Sequence, residues 1–89
     1  MRESRSFVLK NELGLHARAA ALLVTASSQY KSKIFFEKDG VRVNGKSILG
    51  ILTLACPKGG VITVNAEGAD AREAMEKLAK IIENKFGEP

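Results

Sequence analysis

One histidine, His16, stands in a chain of 89 residues, two positions after Gly14 and two before Arg18. Near neutral pH a neutral imidazole keeps a lone pair on one ring nitrogen and can act as a nucleophile. Gly14 breaks the preceding segment. From Ala17 to about Ser28 there is no breaker and Ala is abundant, which predicts a helix with Ala20, Leu23, Val24 and Ser27 on one face. His16 therefore sits where a helix begins, the end at which unpaired N–H groups and the helix dipole favour an anion. No Ser, Thr, Asp or Asn lies next to Ala17, so these first N–H groups are expected to be free for a ligand. Arg18 in the first turn opposes the dipole and calls for a negative neighbour. A phosphoryl group on His16, held by the N–H groups of Ala17 and Arg18 and by the Arg18 guanidinium, meets that need.

The elements that must position this histidine follow from pattern. Ser6 to Lys10 reads as a strand around Phe7-Val8-Leu9, closed by the polar pair Asn11-Glu12. Lys33–Glu37 and Val41–Asn44 read as a hairpin, because Asp39-Gly40 supplies the left-handed conformations of a tight turn. Ser47 is placed to cap a short helix through about Thr53, whose Ile48, Leu49, Ile51 and Leu52 are too many for one buried face. Cys56-Pro57 must be extended, Lys58-Gly59-Gly60 continues the turn, and Val61–Val64 is the last strand. Asp70 with Glu73 resembles a capping box. It opens a helix with the apolar stripe Ala71, Ala74, Met75, Leu78, Ile82 and the surface pairs Glu73–Lys77 and Glu76–Lys80. The order βαββαβα implies an α+β fold, one mostly antiparallel sheet covered on one side by helices, spanning residues 1–89 as a single domain.

Composition narrows the chemistry further. The single cysteine, Cys56, admits no internal disulfide, which suits the cytoplasm. The three apolar residues Phe7-Val8-Leu9 are far too few for a signal peptide or a membrane segment. One His and one Cys forty residues apart give no metal cluster, and no cofactor motif is present. The charge is uneven: residues 1–50 hold nine Lys/Arg against four Asp/Glu, the remainder five against six. The first half thus favours an acidic partner. A small basic nucleic-acid-binding module is the alternative from another class. It is disfavoured because the adjacent Phe35 and Phe36 point to opposite faces of a strand and leave little stacking surface.

Gly14-Leu15-His16-Ala17-Arg18 resembles the phosphorylation-site signature of the histidine-containing phosphocarrier family, HPr, of the bacterial sugar phosphotransferase system. A second run, Lys46-Ser47-Ile48-Leu49-Gly50-Ile51-Leu52, resembles that family's serine-site segment. The resemblance implies an open-faced β-sandwich with strand order 1-4-2-3 and three helices on one face. It implies a monomeric cytoplasmic carrier that takes a phosphoryl group on His16 Nδ1 from Enzyme I, passes it to EIIA domains, and completes no catalytic cycle alone. Arg18 would steady the phosphoryl group, and Ser47 would be a regulatory site for an HPr kinase/phosphorylase. Partners would dock on Ala17, Arg18, Ala21, Lys46, Ser47, Ile48, Leu49 and Leu52, an apolar patch with a charged rim. A nitrogen-branch regulatory carrier would use the same His16 chemistry for signalling. Four positions depart from the family: Ala19 replaces a usual proline, Thr25 and Ser28 replace common lysines, and Ala55 replaces a common glycine. The last makes a backbone of positive φ near the site an open question.

Overall fold

In the computed structural model, which describes residues 1–89, strand β1 (Arg2–Val8) is longer than its apolar run and starts earlier. Its first residues are polar on both faces, and on the open face Ser4 pairs with Asn65 and Ser6 with Thr63, the last two with hydroxyls 2.8 Å apart. Phe7 turns inward opposite Ile62. Lys10 falls outside the strand. At Leu9, which is buried, the chain still exchanges backbone hydrogen bonds with Gly59 and Gly60 before turning toward the next helix.

Helix α1 (Ala17–Ser27) buries Ala19, Ala20, Leu23, Ala26 and Ser27, with Val24 half-buried. Strands β2 (Lys33–Lys38) and β3 (Val41–Asn44) form the expected hairpin, with Asp39 and Gly40 both at positive φ. Helix α2 (Ile48–Thr53) starts at Ser47, whose hydroxyl accepts the Gly50 N–H at 3.1 Å. Strand β4 (Val61–Glu67) runs three residues past its β-branched run, because Ala66 packs at the centre of the core and keeps the inward alternation Ile62, Val64, Ala66. Helix α3 (Ala71–Glu83) buries the whole predicted stripe and Ala79 besides.

The strands form one antiparallel sheet in the order β1-β4-β2-β3, with the three helices on one face. Phe36 and Ile34 of β2 lie opposite Val64 and Ala66, and the helices close over them. On the other face Phe35 is covered by the Arg42 guanidinium, 3.9 Å from the ring centre.

Two local expectations are corrected. Asp70 heads α3, but its carboxylate does not cap the helix. It accepts the Lys31 and Ser32 N–H groups at 2.9 Å each and the Ser32 hydroxyl, tying the α1–β2 loop to α3. Those bonds, the Ser32 hydroxyl foremost, hold the Asp70 carboxyl below the usual carboxylate range. Nor do Glu73–Lys77 and Glu76–Lys80 form ion pairs. The ion pairs present are Arg2–Glu67, Arg42–Glu67, Lys38–Asp39 and Arg18–Glu88. Solvated surface side chains gain too little from pairing to be held in one geometry.

Beyond α3 the chain makes a 3-10 turn, Lys85–Gly87, with Lys85, Phe86 and Gly87 all at positive φ. For L-residues that conformation costs roughly 1–2 kcal/mol each. Burial of the Phe86 ring, of the order of 2 kcal/mol, offsets part of it.

Candidate functional site

The loop entering α1 is built on Gly14. Its φ of +62° suits glycine, and a Cβ there would lie 2.5 Å from the Cys56 carbonyl oxygen. That same oxygen accepts the Leu15 N–H at 2.8 Å, so the α2–β4 connection backs directly onto the residues before His16. Ala55, where the connection leaves α2, adopts φ +48°. The positive φ is therefore kept, at a strain that alanine bears and glycine would not.

His16 is itself the N-cap of α1, with extended backbone angles, and its Nδ1 accepts the Arg18 N–H at 3.3 Å. The expectation that the first helical N–H groups stand free is thus corrected for Arg18: the imidazole supplies the acceptor that Ser or Asp would usually supply. The Ala17 N–H donates to no acceptor in the chain. On the other side of the ring Nε2 lies 2.7 Å from Glu88 Oε1. A nitrogen that accepts an N–H carries no hydrogen, so these two contacts assign the tautomer: Nε2–H donates to Glu88, and Nδ1 keeps the lone pair.

Glu88 is also the negative neighbour that Arg18 needs. Its Oε2 lies 2.9 Å from an Arg18 guanidinium nitrogen, which donates as well to the Phe86 carbonyl at 3.2 Å. Asn11 donates to Glu88 Oε1 at 2.8 Å. The Asn11 bond, followed by those from His16 and Arg18, holds the Glu88 carboxyl below the usual carboxylate range. The Pro89 carbonyl accepts the Glu12 N–H at 2.9 Å, securing the segment further. The ring is 24% exposed and Arg18 58%, so the pair remains open to a partner while Glu88 lies beneath at 13%.

Sequence reasoning missed Glu88 and Asn11. Asn11 looked like the polar end of a strand, yet it is fully buried. The segment after α3 carries no periodicity that would point to a site. Of the other site residues, Ile48 and Leu49 are exposed at 41% and 77%, Ile51 is buried, and Leu52 is partly buried against the core. Ala17 is exposed and Ala21 half-buried on α1, which packs on α2. Lys46 is exposed, but its ammonium donates to the Tyr30 carbonyl at 2.7 Å and does not stand free. No group of three His, Cys, Asp or Glu is arranged to hold a metal ion, and no helix is long and apolar enough to cross a membrane.

The family model described as the PTS HPr component phosphorylation site matches residues 3–84. The phosphocarrier protein HPr of Neisseria meningitidis is 46% identical over 84 residues, 94% of either chain. The HPr-like protein Crh of Halalkalibacterium halodurans is 49% identical over 75 residues, 84% of this chain and 89% of its own. The crystal structure of HPr-C-His from Thermoanaerobacter tengcongensis superposes with a TM-score of 0.94 at 46% identity, covering 98% of both chains. With strand order β1-β4-β2-β3 and a match over nearly its whole length, the chain belongs to the HPr phosphocarrier family of the phosphotransferase system.

Proposed function

We propose that His16 Nδ1 accepts a phosphoryl group from phosphorylated Enzyme I and hands it to EIIA domains. The observation that carries this reading is the fixed tautomer, with Nε2–H on Glu88 and the Nδ1 lone pair beside the Arg18 N–H. In the accepting step the Nδ1 lone pair forms the N–P bond while the bond from phosphorus to the donor's leaving group breaks, its electron pair leaving with that group. The ring then carries positive charge, and the Glu88 carboxylate at Nε2–H stabilises it. The Arg18 N–H turns from Nδ1 to the arriving oxygens. The free Ala17 N–H and the unused guanidinium donors of Arg18 supply the rest. Phosphoryl transfer asks mainly for alignment and charge stabilisation, and the partners' active sites provide most of both, so the chain is a carrier and not an enzyme.

Partners dock on Ala17, Arg18, Ala21, Lys46, Ser47, Ile48, Leu49 and Leu52; the exposure of Ile48 and Leu49 supports this surface. Ser47 is the regulatory phosphorylation site, where a dianion beside that surface would repel an acidic partner. The chain acts as a monomeric single domain in the cytoplasm. Incubation with Enzyme I and phosphoenolpyruvate should label it in an acid-labile, base-stable linkage, assigned to Nδ1 by phosphorus NMR. Labelling that survives His16→Ala would overturn the reading. Whether sugar-branch or nitrogen-branch EIIA proteins then take the phosphoryl group decides between uptake and signalling.

A further inference from the structure

Asn11 is completely buried, and both its amide hydrogens are used: one binds the Gly14 carbonyl at 2.8 Å, the other Glu88 Oε1 at 2.8 Å. Its Oδ1 is buried with no partner. A buried amide with an unmet acceptor is poorer for stability than an apolar side chain of the same size, so its two directed donors are what distinguish it here. One donor grips the loop that delivers His16. The other grips the carboxylate that faces the ring of His16, across 77 residues of sequence.

We infer that Asn11 is a positioning residue for phosphoryl transfer: it aims Glu88 at His16 Nε2–H and thereby selects Nδ1 as the nucleophile. This inference rests on the reading of His16 as the phosphoryl acceptor. Arg18 alone can hold Glu88, but Arg18 is more than half exposed and long, and it leaves the carboxylate free to follow the guanidinium away from the ring. Once Nε2 loses its fixed acceptor, the ring hydrogen redistributes, and the tautomer with hydrogen on Nδ1 has no lone pair there to attack phosphorus. The family match ends at residue 84, so the Asn11–Glu88 contact is read from this chain's own geometry.

The test is nitrogen NMR of the His16 ring in the intact, unphosphorylated chain, joined to rates of phosphorylation by Enzyme I. The wild type should show hydrogen on Nε2 only. Asn11→Leu keeps about the same volume but removes both donors; it should show a mixture of tautomers and slow phosphorylation about tenfold in maximal rate, with little change in half-saturation, because the docking surface is untouched. Asn11→Ala, which also removes both donors, should do the same. Adding Asn11→Leu to Glu88→Ala should leave the ring's tautomer mixture as it is in Glu88→Ala alone. A single Nε2–H tautomer in Asn11→Leu, or a further shift of the tautomer mixture in the double variant, would overturn the inference. A wild-type chain that Enzyme I does not label would instead refute the carrier reading, and the NMR result stands apart from it.

Discussion

Replacing Ala55 by glycine should make the protein more stable, against the usual direction of that change. Ala55 is exposed and sits at φ +48°, where a Cβ crowds its own backbone and costs about 1–2 kcal/mol. Glycine removes that cost, but its extra freedom in the unfolded chain takes back about 0.5–1 kcal/mol. At the middle of both ranges the net gain is about 0.75 kcal/mol, or roughly 3–6 °C in Tm for a domain of this size. Urea denaturation and thermal melting by circular dichroism measure it. Ala21→Gly, the same chemical change inside right-handed α1, should go the other way by about 1 kcal/mol. Equal losses in both variants would refute the claim that Ala55 is strained. Because Cys56 follows and its carbonyl holds the Leu15 N–H, relaxation at residue 55 should leave the amide resonances of Leu15 and His16 nearly unshifted.

Gly14→Ala combines a positive φ with a Cβ 2.5 Å from the Cys56 oxygen; it should cost about 2–4 kcal/mol and slow phosphorylation, and a loss under 1 kcal/mol in urea titration would contradict the tight fit. Folding lowers the pKa of Glu88, so the unfolded or released segment binds the proton more readily than the docked one. Docking is therefore favoured above the ordinary carboxylate range and lost as pH falls through the depressed value. The Glu12 amide resonance, reporting the Glu12–Pro89 bond, should hold steady until pH is below that range, and a transition at the pH of a free glutamate would count against the triple contact. Leu49→Asp, at the most exposed apolar position of α2, should leave the unfolding free energy within about 1 kcal/mol of the wild type while raising half-saturation with Enzyme I several-fold; unchanged kinetics would remove α2 from the docking surface.

Much of this protein is written in short-range pattern. The Asp39-Gly40 turn, the Ser47 cap, the stripe of α3 and a histidine at the start of α1 each depend on residues within one or two turns of each other, and the structure reproduces them. Strand ends were less legible: Arg2–Arg5 and Asn65–Glu67 are polar or small, and only pairing with a neighbouring strand makes them β. What the tertiary structure alone decided is the electrostatic setting of His16. Arg18 in a first helical turn announces a missing anion, and local reasoning could not tell a phosphoryl group from a carboxylate 70 residues away. Glu88 reaches the ring because Phe86 buries its side chain through a left-handed turn, and Asn11 becomes a core residue only once that segment folds back over it. Contacts of that range depend on how the elements pack, and no local period in the chain encodes them.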